Sequence, residues 1–153
     1  YWKDESFVSE LKRRQKAYIE GSSKTYSLEQ TVARAKSALK IRKRWLLVNK
    51  LVVLEDAERE FVQAARWYEE KSEGLGLRFI DVVKHKLELI RDDPERSPKR
   101  KGNFREAVVK IFPFVIIYVY YKKEKMITVN SIFHTSQNPR KKFRKKPTRQ
   151  RGI

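Results

Sequence analysis

The residues able to do chemistry in this sequence are few, and most lie near its C-terminal third. His134 ends an apolar run, and an imidazole changes charge near neutral pH, as a general acid or base must. The alternative is a histidine that only caps its strand by hydrogen bonding. His85 lies between Lys84 and Lys86 in a helical pattern and is expected to be exposed. Arg105 opens a strand-like run; a guanidinium there can hold two phosphate oxygens, or can pair with a nearby acid for structural reasons. Tyr118 could stack on a base or orient a group, although an aromatic in a central strand is more often core. Lys99, Arg100, Lys101, Lys110 and Arg140 offer electrostatic footing for a nucleic acid. Singly each is weak, because a charge run is usually a solvated face. The chain has no cysteine, which excludes disulfides and thiolate metal sites, and no metal or cofactor is expected.

These residues hang on one stretch, FREAVVKIFPFVIIYVYYKKEKMITVNSIFHTSQNP, from Phe104 to Pro139. Its Val, Ile, Tyr and Phe content predicts three strands, at Phe104 to Ile111, Phe114 to Tyr121 and Met126 to His134. Phe112-Pro113 separates the first two, because proline offers no N–H to a ladder. The run Lys122 to Lys125 reads as a charged hairpin loop. The middle strand is apolar on both faces. Phe114, Ile116, Tyr118 and Tyr120 form one face, and Val115, Ile117, Val119 and Tyr121 the other, which predicts a central strand covered on both sides.

Upstream, helical periodicity predicts a hairpin from Glu55 to Lys71 and on to about Asp92. The acidic first turn Glu55, Asp56 and Glu58 suits a helix N-terminus. The run Asn49 to Leu54 reads as a strand, and Pro94 to Gly102 as a polar loop. Two further helices precede it. Asp4 to Glu20 carries Phe7, Val8, Leu11, Gln15, Tyr18 and Ile19 near one stripe, with the charge of the Leu11 to Arg14 run expected outward. Ser27 and Gln30 match a capping box for the next helix, with Leu28, Val32, Ala35 and Leu39 at helical spacing. Both have narrow apolar stripes and would be marginal alone, so they need another surface to lie on.

The 153 residues carry 37 Lys and Arg against 19 Asp and Glu, a net charge of +18. Such an excess points to a polyanionic partner, most simply nucleic acid or ribosome. No run reaches membrane-span length and no signal peptide is visible, so a cytoplasmic location and no membrane partner are expected. The connector KIRKR, Lys40 to Arg44, is basic. The tail RKKFRKKPTRQRGI from Arg140 lacks acids and any apolar period, which predicts poor order or polyanion binding.

An ordered set of residues in the second unit resembles the RelE/ParE family of type II toxin–antitoxin toxins. The set is Ala57, Trp67-Tyr68-Glu69, Gly74-Leu75-Gly76, Arg78-Phe79, Pro94, Pro98, Phe104-Arg105, Phe112-Pro113-Phe114, Tyr118, His134 and Asn138-Pro139. It spans about residues 49 to 143. The first unit resembles, less specifically, the C-terminal half of an addiction-module-component antitoxin, through Trp2, Glu10-Leu11, Arg13-Arg14, Ile19-Glu20-Gly21 and Tyr26 to Glu29. The expected domains are an antitoxin-like segment at 1–44, a toxin domain at 45–143 and a basic tail at 144–153. The expected fold is α+β, a twisted and mainly antiparallel sheet of about four strands packed on a helical hairpin, β-α-α-β-β-β, with the two leading helices wrapped around it.

The resemblance implies a partner antitoxin, in cis or in trans, and one of two targets, with a homo-oligomer also open. RelE-like members cleave ribosome-bound mRNA by driving the 2′-OH onto the adjacent phosphate, which needs a base, an acid and cations, and a ribosome-dependent endoribonuclease of this kind is the first expectation. Arg105, His134 and Tyr118 would serve as the catalytic set. ParE-like members inhibit DNA gyrase without a nuclease site. There are two departures from the family pattern, Gln137 where an arginine is common and Leu54 where a capping Ser or Thr is common; the missing arginine favours a weak nuclease or a non-enzymatic toxin. A third expectation is a silenced fusion, in which the antitoxin segment permanently holds the toxin.

Overall fold

The computed structural model describes residues 1–39 and 50–137. The KIRKR connector, Trp45, the 44/45 domain boundary, Asn138-Pro139, Arg140 and the basic tail lie outside the described residues. In chain order the elements are α1 (Glu5–Ile19), β1 (Thr25–Ser27), α2 (Leu28–Ala38), β2 (Leu51–Leu54), α3 (Glu55–Lys71), α4 (Leu75–Asp92), β3 (Lys99–Lys101), β4 (Phe104–Val108), β5 (Phe114–Tyr121) and β6 (Met126–His134).

The sheet order is β1-β2-β6-β5-β4-β3. Only the β2–β6 pair is parallel, the α3–α4 hairpin having carried the chain back before the antiparallel run begins. The sheet therefore has six strands where four were expected. The two extra ones, β1 and β3, are three-residue edge strands, polar in sequence, whose extended state comes from the apolar neighbour each pairs with. The strand expected to run to Ile111 ends at Val108, because the chain reverses through Ile111 at φ 77°.

Strand β5 divides two apolar layers, as its two-faced pattern predicts. Phe114, Ile116 and Tyr118 join Phe61, Phe79, Ile80, Val83 and Leu87 of α3–α4, together with Val32 and Ala35 of α2. Val115, Ile117 and Val119 join Phe133 and the Phe7, Val8 and Leu11 stripe of α1. Residues 1–39 thus reach three parts of the sheet domain: α1 covers one face, β1 extends the β2 edge, and α2 lies on the helical hairpin. Fully burying Phe7 and Leu11 is worth about 1.5–3 kcal/mol each.

Local signals fix the helix ends. Asp4 accepts the Ser6 and Phe7 N–H groups at the start of α1, and Ser27 and Gln30 form the expected reciprocal capping box at α2. Leu54 leaves α3 without a side-chain cap, and three acids in its first turn face the helix dipole instead. At α4 the Glu69 carboxylate accepts the N–H groups of Gly74 and Gly76, both at 2.8 Å, capping one helix from its neighbour.

Candidate functional site

Among the described residues each sequence-predicted site residue has a clear place, and the places differ. Arg105 is on β4 opposite Tyr118 of β5. Its guanidinium donates to the carbonyls of Ser97 at 2.6 Å and Glu95 at 3.0 Å, and the Glu95 carboxylate lies 3.8 Å away. Only 12% of the Arg105 side chain is exposed. Tyr118 is fully buried and donates its hydroxyl to the Pro94 carbonyl at 2.8 Å, and burial raises its pKa. Both side chains therefore hold the loop between α4 and β3, and the Tyr118 ring is core, the alternative weighed for it above.

His134 closes β6 opposite Phe114, with the two rings edge-on at 4.9 Å between centroids. The Ser136 backbone N–H donates to its Nδ1 at 3.1 Å, and the Ser136 hydroxyl lies 2.8 Å from the same nitrogen. An accepting Nδ1 places the proton of the neutral ring on Nε2. Beside it opens a cleft of about 460 Å³. Helix α3 lines one wall with Glu60, Gln63, Ala64, Trp67 and Tyr68, and Phe114, Ile132, His134, Ser136 and Gln137 line the other. No residue of 1–39 lines this cleft.

Arg105 and His134 share one face of the sheet but not one site. Their partners on β5, Tyr118 and Phe114, are four residues apart, and β4 and β6 flank β5 on opposite sides. At strand spacings this sets their backbones about 16 Å apart. Buried Ile116 lies between the two levels. The Arg105 guanidinium donates to the Glu95 and Ser97 carbonyls, whereas His134 lines the cleft against α3.

The basic candidates divide similarly. Lys99, Arg100 and Lys101 form the exposed edge strand β3, with Arg100 3.7 Å from the Glu106 carboxylate. Lys110 sits in the turn after β4, at the other end of that strand from the β3–β4 turn. Burial, then Arg96 and Lys110, lower the pKa of Lys86. His85 is exposed on α4, as its lysine neighbours suggest. Among the described residues no cluster of His, Asp and Glu could hold a metal ion.

Sequence reasoning missed a buried polar centre linking the two units. Arg14, 6% exposed, donates to Glu10 at 3.0 Å, to Glu60 at 3.1 Å and to the Asn130 carbonyl at 2.8 Å, with Asp56 at 3.3 Å. Glu60 in turn accepts Ser131 Oγ at 2.6 Å and the Ile132 N–H at 2.9 Å. The available signal was helical spacing, since Arg14 falls seven residues after Phe7 and three after Leu11, on the apolar stripe. Nearby, Gln15 accepts from Thr128 Oγ1 at 3.1 Å and Asn130 Nδ2 at 2.8 Å. Tyr1 and Trp2 both donate to the Glu106 carboxylate.

Residues 51–139 match the family model described as the ParE toxin of type II toxin–antitoxin system, parDE, which spans more than half of the chain. Comparison with curated proteins finds no match.

Proposed function

This chain belongs to the ParE toxin family of type II toxin–antitoxin systems, whose toxins pair with an antitoxin, and we propose that it is a non-enzymatic toxin held in check by its own leading residues. The toxin unit, 45–143, acts by binding, with DNA gyrase as its target in the manner the resemblance implies. The antitoxin-like unit, 1–44, neutralises it in cis. One observation carries the non-enzymatic reading: Arg105 and Tyr118 are occupied by backbone carbonyls of the 94–97 loop, far from His134. Neutralisation in cis is supported by the apolar stripe of α1 on the sheet and by the Arg14 centre that ties α1 to α3 and β6.

A second reading, a ribosome-dependent ribonuclease, rests on the cleft itself. His134 there lies beside Trp67, Gln63 and Gln137, groups able to stack on a base and hydrogen-bond its edges. The two readings separate in one set of experiments. Induction of the whole chain is expected to be harmless, while residues 49–153 alone stop growth and inhibit gyrase supercoiling, with His134→Ala still toxic. Cleavage of ribosome-bound mRNA by 49–153, seen by primer extension and lost in His134→Ala, would replace the first reading with the second.

A further inference from the structure

Sheet register brings together cations that are scattered in sequence. The β3–β4 turn at Gly102-Asn103 and the β5–β6 turn at Lys122 to Lys125 lie at the same end of the sheet, since Phe104 pairs with Val119 and Tyr121 with Met126. Lys50 joins them, its carbonyl accepting the Ile127 N–H at 2.9 Å. Lys50, Lys99, Lys101, Lys122, Lys123 and Lys125 are all exposed. Lys122 pairs with Glu95 at 3.0 Å, and the other five have no ion-pair partner among the described residues. From β2 to β3 is four strand intervals, so the row is about 19 Å long.

Lysines on an edge strand discourage edge-to-edge pairing, which accounts for β3 alone. It does not account for the β5–β6 turn. Lys125 there has φ 47°, a left-handed conformation that glycine or asparagine adopts at less cost. Backbone strain is thus kept at a position that presents an ammonium group.

We propose that this sheet end is a docking surface for the phosphate backbone of duplex DNA. Lysine ammoniums are donors only and read charge rather than base sequence. A row of this length spans about five to six phosphates per strand along a duplex axis. Single strands are held by aromatic platforms, and the aromatics at this end are poor ones: Phe104 is buried, Tyr120 packs against the core, the Tyr121 hydroxyl is engaged by Gln15, and the Tyr18 hydroxyl donates to Met126 Sδ at 3.5 Å. Duplex RNA is recognised largely through its 2′-hydroxyls, for which ammonium groups have no particular preference. The surface is independent of the toxin reading, since none of its lysines lines the His134 cleft or belongs to residues 1–39.

The test is fluorescence anisotropy of the full chain with a labelled 20-base-pair DNA of arbitrary sequence, over a range of salt. The triple variant Lys101→Gln, Lys123→Gln, Lys125→Gly is compared with a control that removes three distant exposed cations, Lys12→Gln, Arg59→Gln and Lys71→Gln. Each lost phosphate contact lowers the slope of log K against log salt by about 0.9. The surface triple is expected to lose two to three units of slope, by that same rule, and the control to lose less than one. The Lys125→Gly single variant should melt no lower than the parent and still bind DNA more weakly, which separates binding from folding. Equal slope losses in triple and control, or unchanged DNA binding in Lys125→Gly, would overturn the assignment. So would tighter binding, lost in the same triple, to single-stranded DNA, duplex RNA or phosphatidylserine vesicles.

Discussion

The Arg14 guanidinium of α1 donates to the Asn130 carbonyl of β6 at 2.8 Å, across 116 residues of sequence. Asn130 is the extra residue of a bulge, since Ser131 pairs with Ile117 and Val129 with Tyr118. A bulge leaves a residue outside the ladder, and here the first unit supplies the donor for its carbonyl. Three carboxylates, Glu10, Asp56 and Glu60, surround the same guanidinium. Removing a buried partner strands the remaining charges, so Arg14→Ala is expected to cost about 3–5 kcal/mol in chemical denaturation. Arg13 contacts Glu10 and Asp56 but is 59% exposed. Arg13→Ala should cost less than about 1 kcal/mol.

Acid should loosen the same joint. Burial alone would raise the pKa of Glu10, but hydrogen bonds from Arg13 and Arg14 outweigh it and hold the carboxyl below its ordinary value. A carboxyl whose folded pKa is depressed stabilises the fold above its unfolded pKa of about 4.3, and that contribution is lost as pH falls through the folded value. Melting temperature is therefore expected to drop below about pH 4. Glu10→Gln should show a shallower drop than the parent; parallel profiles would remove Glu10 from the acid response.

Much of this architecture was readable because its signals are local. The Ser27/Gln30 box needs three intervening peptide units, and the two-faced apolar pattern of β5 announces cover on both sides without naming it. What the sequence hid depends on partners distant along the chain. Thr25–Ser27 is a strand only because Val52–Leu54 is beside it, and Lys99–Lys101 only because of β4. The Lys12-Arg13-Arg14 run looks solvated, yet a helix turns about 100° per residue, so one member of it points inward. For the site, the family resemblance together with residue type suggested that Arg105, Tyr118 and His134 act together. Register sets the Arg105 and His134 backbones about 16 Å apart, and register is not visible in any single strand.

Gly76 lies where α4 crosses α3. A Cβ added there would sit 2.5 Å from the Ala65 carbonyl oxygen and 2.8 Å from Glu69 Cβ. The first of these is backbone and cannot swing aside, so the helices must part. Gly76→Ala is expected to destabilise by about 1–3 kcal/mol despite alanine's better helix propensity. Thermal unfolding measures it; a neutral or stabilised variant would mean the hairpin is looser than its contacts indicate.

Ile111 offers the opposite sign. It is 72% exposed and holds φ 77°, a region where a β-branched residue is strained by about 1–2 kcal/mol. Ile111→Gly removes the strain and little packing, against a greater entropy loss on folding of about 0.5–1 kcal/mol. The expected outcome is equal or modestly higher stability. A clear loss of stability in the purified chain would show that the exposed isoleucine makes a contact worth more than its strain.

Arg105 and Tyr118 should behave as holders of a loop rather than as chemical groups. Tyr118→Phe removes one hydrogen bond to Pro94 and should cost about 1 kcal/mol. Arg105→Gln frees the carbonyls of Glu95 and Ser97 and should cost about 1–3 kcal/mol. In both, hydrogen exchange is expected to rise in the 93–98 loop and in β3, whose first residue follows Pro98. Toxicity of 49–153 should persist in both at temperatures where the variants stay folded. Abolition of toxicity by Tyr118→Phe, with melting within a few degrees of the parent, would return the hydroxyl to the catalytic set, because a structural hydrogen bond of that size cannot silence a folded toxin.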